Sequence, residues 1–362
     1  MAAPLLAVRG YPTRHSDQVR LVRSRPAAVW LVLFAAFALL FPHFASDFVT
    51  TVAVAVLMTF VGAVALNLLM GTAGVVSLGA AAFLAIGGFI ASALAIDAHL
   101  TFVVVILGAG LGTALVGALV GLFTLRLAGL YIVMATFALH YVVLYALGEY
   151  QSYRVGANEF IMPIPRIGPW QIYTQQSWYY VDLVVALLTC LVAANILRSS
   201  VGRSWSAMRD KSLAAEALGI NAARARIVAF TVTSGMFGVA GALGAYYLTT
   251  VSVDNYSLDT AIQYVAIIII GGLGSVLGSM LGTVFVVILP YIVTEAITYW
   301  LASVPGISAL GQDTYEVQAG LYGVAIIAFM LFQPDGLASI WTHRLRGTLQ
   351  AWPLRRQWTG DE

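Results

Sequence analysis

Charge is scarce in this sequence. Asp, Glu, Lys and Arg together make up 9% of its 362 residues, against about 25% in an ordinary soluble domain. So few charges cannot supply a polar shell over a core of this size, which excludes a soluble globular class. Cysteine is rarer still. Cys190 stands alone in an apolar run, so there is no disulfide framework and no C-x-x-C metal or redox pair. The net charge of +2 and the lack of a basic, aromatic-studded stripe argue against nucleic acid as a partner.

Several chemical signatures are also missing. There is no G-x-x-x-x-G-K-[ST] loop, and Lys211 is the sole lysine, so the chain has no P-loop site for ATP. No H-E-x-x-H or G-x-S-x-G string occurs. The five histidines, at 15, 43, 99, 140 and 343, are too scattered for a metal site, and His140, inside an apolar run, is expected to be buried and hydrogen-bonded. These absences leave no catalytic constellation. Asp47, Asp97, Glu149, Asp182, Asp254, Asp259 and Glu295 all fall near the ends of apolar runs. A mid-span carboxylate for proton or sodium coupling is therefore not expected.

Hydrophobic residues, in contrast, make up 60% of the chain. Runs long enough to approach the roughly 20 residues of a membrane span lie at 27–41, 48–70, 75–96, 100–125, 127–147, 179–197, 227–249 and 317–332. A further apolar region, 256–293, is broken by the glycine-rich stretch Gly271 to Gly282. The arginine-rich first 26 residues resemble a signal peptide only superficially, because no small-x-small site follows and many further spans do.

Cytoplasmic loops hold an excess of Lys and Arg, which orients the spans. With the N terminus inside, Arg126, the six basic residues between Arg198 and Arg226, and the four of the C-terminal tail all fall inside. Only Arg154 and Arg166 are left outside. The region 256–293 must then begin and end outside. The expected fold is an all-α polytopic transmembrane protein of about ten spans, or eight plus a re-entrant hairpin, with both termini cytoplasmic. Its parts are a basic arm, 1–26; a transmembrane body, 27–333; and a cytoplasmic tail, 334–362. The body includes an external loop, 149–178, where Pro163, Pro165 and Pro169 exclude a regular helix, and a cytoplasmic segment, 198–226.

That cytoplasmic segment reads as a helix. Ser204 or Ser206 can cap its start, SLAAEAL is built of strong helix formers, and Gly219 supplies a left-handed stop. Trp205, Met208, Leu213 and Ala217 give it an incomplete apolar face on which a partner could dock. A helix resting on lipid headgroups is the plainer reading of the same pattern.

The string AMRDKSLAAEALGINAARARIVAF, Ala207 to Phe230, resembles the coupling segment of the permease family of branched-chain amino-acid ABC importers, in its LivM-like branch. Two further strings carry the same resemblance: NLLMGTAGVVSLGAAAFLAIGGF, Asn67 to Phe89, and IGGLGSVLGSMLG, Ile270 to Gly282. Against the broader importer signature E-A-A-x-x-x-G the chain matches at Ala214, Ala215 and Gly219, with Leu213 in the glutamate's place.

The resemblance implies a permease subunit of an ABC importer in a bacterial inner membrane. It would move branched-chain or other apolar amino acids, or a related small solute such as urea. Its coupling helix at about 205–219 would carry Arg209, Asp210, Ala214, Ala215, Glu216 and Gly219. Its partners would be a second, LivH-like permease, cytoplasmic ATP-binding subunits and an extracytoplasmic solute-binding protein. No cofactor is expected in this chain, ATP being bound by a partner. An ion-coupled secondary transporter working alone is the alternative, with sodium held by backbone carbonyls.

Repeated glycines in apolar spans call for close packing, and Gly71, Gly74, Gly79, Gly87, Gly88, Gly108, Gly112 and Gly117 fit that reading. Broken helices can also expose backbone polar groups to a solute path. Asn67, Ser77 and Gln263 are the polar side chains beside the breaks that would line it. In the orientation above, both glycine breaks approach from the same side.

Overall fold

The computed structural model describes residues 37–127 and 129–295, together with residues 320, 323, 324, 327 and 337–339. Both termini and the 317–332 span fall outside the described residues, apart from those few positions. Of the described residues, 37–50 belong to one unit and those from 51 on to another. In the first, residues 37–44 are helical, with the Phe37 and Phe41 rings 5.8 Å apart on one face.

The second unit is built of helices. We label them α1 (Asp47–Leu66, of which the last sixteen residues belong to this unit), α2 (Ala80–Ser92), α3 (Phe102–Phe123), α4 (Leu130–Val155), α5 (Gln175–Arg198), α6 (Ser200–Ala217), α7 (Ala222–Leu248), α8 (Leu258–Gly271) and α9 (Val276–Glu295). A π-helical turn, Asn67–Thr72, extends α1, and another, Ala93–Asp97, extends α2. Among the described residues, six helices are long and apolar enough to cross a membrane: α1 and α2 with their π-helical extensions, α3 with the 3-10 turn Thr124–Arg126 that follows it, α4, α5 and α7. The chain is an all-α, multi-pass membrane protein.

The helices run alternately between two ends of this unit. At one end α6 lies between the end of α5 and the start of α7, beside the end of α1 and the α8–α9 turn. At the other, β1 (Phe160–Ile161) pairs antiparallel with β4 (Thr250–Val251), Phe160 opposite Val251. α7, 27 residues long, connects the two ends over about 40 Å. The loop ahead of α5 forms a hairpin of β2 (Arg166–Ile167) with β3 (Trp170–Gln171), turning at Gly168. The prolines exclude a helix there as expected, but α4 continues to Val155 and takes the first residues of the expected external loop.

The core lies where α2, α3 and α7 touch at backbone distance. Gly87 faces Gly238, whose missing side chain also makes room for Thr113, and Gly117 faces Ser234. A methyl on Gly87 would lie 2.6 Å from the Gly238 Cα. Small residues replace the hydrophobic drive that helices lack within lipid, and Phe83 stacks on Phe237 beside this seam. Close packing accounts for these glycines, but not for Gly79, whose added methyl would meet nothing nearer than 3.5 Å.

The broken apolar region is a helical hairpin. α8 has 14 residues, about 21 Å, against the roughly 30 Å of a hydrocarbon core, whereas α9 has 20. The turn uses Gly272 (φ 113°) and Gly274 (φ 81°), conformations that side chains resist. The two helices meet without intervening side chains: a methyl on Gly278 would lie 2.6 Å from the Gly271 carbonyl oxygen.

Candidate functional site: the junction of α6 with two glycine breaks

The helix α6 begins earlier than Ser204 or Ser206. Ser199 caps it, its Oγ accepting from the Gly202 amide at 3.3 Å, so a single residue separates α5 from α6. At Lys211 the backbone leaves the helical region (φ −154°, ψ 95°), dividing α6 into a longer first arm and a short second one. The first arm is anchored. Trp205, 1% exposed, donates from Nε1 to the Ala225 carbonyl at 3.0 Å, tying α6 to the start of α7. The expected docking face is therefore not the Trp205 side, which packs inward.

The second arm points outward. Leu213 and Leu218 are 83% and 84% exposed, and Ala214, Glu216 and Gly219 are exposed with them, while Ala215 is buried. Gly219 stops the helix with φ 87°, as its sequence position predicts, and the Ile220 amide closes the end on the Ala215 carbonyl at 3.1 Å. Asn221 then caps α7 through the Arg224 amide at 2.8 Å.

Arg209, at the end of the first arm, reaches the end of α1. Its Nη1 donates to the Gly71 carbonyl in the π-helical turn, and its stem covers Gly74. Terminal carbonyls of a helix have no intrahelical partner and carry the negative end of its dipole, so a guanidinium there satisfies both. Arg209 also lies against Gly274, where an added methyl would come within 3.3 Å of Nη1. Asp210 is exposed, its Oδ1 3.7 Å from the Arg209 Nε.

Asn67, the first residue of the π-helical turn, binds the α8–α9 turn. Its Oδ1 accepts from the Gly274 amide at 2.7 Å, and its Nδ2 donates to the Ser275 carbonyl at 2.8 Å and to the Ser279 Oγ at 2.6 Å. Ser275 meanwhile caps α9 through the Gly278 amide at 3.1 Å. The two glycine breaks thus meet each other and α6 at one junction.

Residues 48–330 match the family of branched-chain amino acid transport system permease components. The chain belongs to that family. Among its curated relatives, the high-affinity branched-chain amino acid transport system permease protein LivM of Escherichia coli K12 is 26% identical over 334 residues, covering 85% of this chain and 74% of the relative. The LivM of Salmonella typhimurium LT2 is 27% identical over 297 residues, covering 75% of this chain and 65% of that protein. These relatives are transport permeases rather than enzymes. No solved structure matches the chain.

Within this permease the other two sequence-chosen polar residues stand apart from the junction. Ser77 lies in the extended stretch between the π-helical turn and α2, buried, its Oγ accepting from the Gly79 amide at 3.2 Å. Next to it, the Leu78 amide donates to Thr136 Oγ1 at 3.1 Å. This stretch is where the expected span from Val75 fails: Gly74, at φ 71°, ends the turn, and α2 starts only at Ala80. Gln263 is half-buried on α8, about 12 Å along the helix from Gly271.

Two further expectations are corrected. Asp182 is not at a span end: it lies seven residues into α5, fully buried, and neither carboxylate oxygen has a hydrogen-bond partner among the described residues. His140 is buried as expected, but its Nδ1 has no such partner. Arg226, treated above only as a topology marker, caps α3 by donating to the Thr124 and Leu127 carbonyls at 2.9 and 3.0 Å. A basic residue just ahead of the 227–249 apolar run was its only trace in the sequence.

Proposed function

We propose that this chain is one transmembrane permease subunit of an ABC importer in a bacterial inner membrane, moving branched-chain or other apolar amino acids, or a related small solute such as urea. Separate cytoplasmic ATPase subunits drive it by docking on α6, a second permease completes the pathway, and an extracytoplasmic binding protein delivers the solute. ATP is bound by the partners.

The observation that carries this reading is the exposed second arm of α6. Leu213 and Leu218 project from a helix whose first arm is fixed by Trp205 and Arg209. Large apolar side chains so exposed beside Glu216 suit a protein cleft better than water. At the opposite end, Arg154, Glu159 and Ile161 line an open groove suited to an external partner. The basic residues of α6 favour a cytoplasmic address for its end of the protein, and the reading of about ten spans takes the α8–α9 hairpin as two.

The ion-coupled alternative draws on one observation, that Asp182 is buried with no hydrogen-bond partner among the described residues. One experiment separates the two. Purification of the tagged chain from its native membrane is expected to bring an ATPase subunit with it, and replacing Glu216 or Gly219 to abolish ATP-driven leucine uptake. Uptake by the chain alone, in vesicles without ATP, overturns the reading.

A further inference from the structure

We propose that Arg209 and Asn67 form a clasp that carries the movement of α6 to the α8–α9 hairpin, making Asn67 a positioning residue for transport rather than a lining residue of the solute path. The inference rests on the coupling role proposed for α6 and names where that movement goes.

The first link is Arg209. It ends the anchored arm of α6, two residues before the exposed arm begins, and holds the Gly71 carbonyl at the end of α1. A displacement of α6 that keeps this charge-assisted bond takes the π-helical turn with it. The second link is Asn67, one turn earlier on the same element. Its amide group is engaged at both ends: one accepted bond from Gly274 and donated bonds to Ser275 and Ser279.

The hairpin turn depends on these bonds. With positive φ at Gly272 and Gly274, its Gly274 amide and Ser275 carbonyl turn toward the buried side chain of Asn67, which pairs with both. Steric fit reinforces the chemistry. A methyl at Gly71 would collide with the Gly274 amide and with Asn67 Oδ1, and one at Gly274 would crowd Arg209. Asn67 is itself buried, as is its bond to Ser279, and such bonds are costly to leave unmade, so the end of α1 and the α8–α9 hairpin move as one body. Since α8 is short, a shift of its inner end displaces most of the helix, including Gln263.

The test uses the assembled complex in lipid nanodiscs, in a Cys190→Ser background. Spin labels replace two exposed residues, Phe123 at the end of α3 and Leu277 on α9. Trapping with a non-hydrolysable ATP analogue is expected to change the 123–277 distance in the unsubstituted clasp. In Asn67→Leu the change is lost, while the ATPases still co-purify and hydrolyse ATP. In Arg209→Ala it is lost likewise, and Arg209→Lys, which keeps a donor for the Gly71 carbonyl, restores it.

A distance change in Asn67→Leu equal to that of the parent overturns the clasp, as does no change in a parent complex that carries its ATPases. A parent chain that binds no ATPase overturns instead the function on which the clasp rests. Should Asn67→Leu not assemble, the Arg209→Ala and Arg209→Lys pair makes the same comparison, and equal responses in those two overturn the proposal.

Discussion

The Asn67 side chain accepts a hydrogen bond of 2.7 Å from the amide of Gly274, 207 residues further along the chain. The bond fastens the end of one apolar helix to the turn of a hairpin whose first helix is too short to span a bilayer upright. It forms only because Gly71, one turn after Asn67, has no side chain to keep the hairpin away.

Gly71→Ala is accordingly expected to destabilise the protein by about 1–3 kcal/mol, the usual penalty of overpacking a well-fitted contact. Gly79→Ala, in the same stretch of sequence, is expected to be neutral, since its methyl meets only ordinary contacts at 3.5 Å or more. Thermal unfolding of the detergent-solubilised variants, followed by tryptophan fluorescence, checks both. Equal midpoints for the two variants would show that the hairpin yields to the added methyl.

Trp205 fixes the first arm of α6. Trp205→Phe removes the bond to the Ala225 carbonyl and leaves a small void beside the smaller ring, and is expected to cost about 1–2 kcal/mol, whereas Trp205→Ala empties most of a buried site and is expected to cost about 3–5 kcal/mol. Limited trypsin digestion reports the consequence locally. Cleavage after Arg203 and Arg209 is expected to accelerate in Trp205→Ala before the spans unfold, because the released arm no longer packs on α7.

Much of this fold is written in the local sequence. The apolar runs mark the spans, and basic residues assign one end of the bundle to the side where α6 lies. What escapes local reading are features settled by distant neighbours or by single residues. One cap, Ser199, separates α5 from α6, a break too short to interrupt the helical pattern, so the start was expected at Ser204 or Ser206. Gly74 and the Ser77–Gly79 stretch delay α2 to Ala80, although composition alone runs on from Val75. Asp182 looks terminal because it lies near the start of an apolar run, but α5 begins at Gln175 and turns this residue inward. The junction itself was visible only as separate glycine-rich strings, since nothing in either announces that Asn67 meets Gly274.

The exposed arm of α6 offers a test of partner docking free of folding effects. Leu213→Asp and Leu218→Asp alter side chains that are more than four-fifths exposed, so thermal stability is expected to stay within about 0.5 kcal/mol. Loss of ATPase co-purification in both variants, with the midpoint unchanged, is the expected outcome. Retained ATPase binding in the double variant would move the docking surface off this arm.

Asp182 separates stability from mechanism. Asp182 is fully buried, and neither of its oxygens has a hydrogen-bond partner among the described residues; a carboxyl group so placed costs free energy whichever protonation state it adopts, and a leucine would not. Asp182→Leu is therefore expected to raise stability by about 1–3 kcal/mol, seen as a higher unfolding midpoint. If ATPases drive transport, leucine uptake by the assembled complex stays ATP-dependent in this variant and keeps its insensitivity to a collapsed proton or sodium gradient. A more stable protein that no longer transports would instead identify Asp182 as a group retained at a cost to the fold because transport requires its charge or its proton. That result would transfer the weight of the function from α6 to α5.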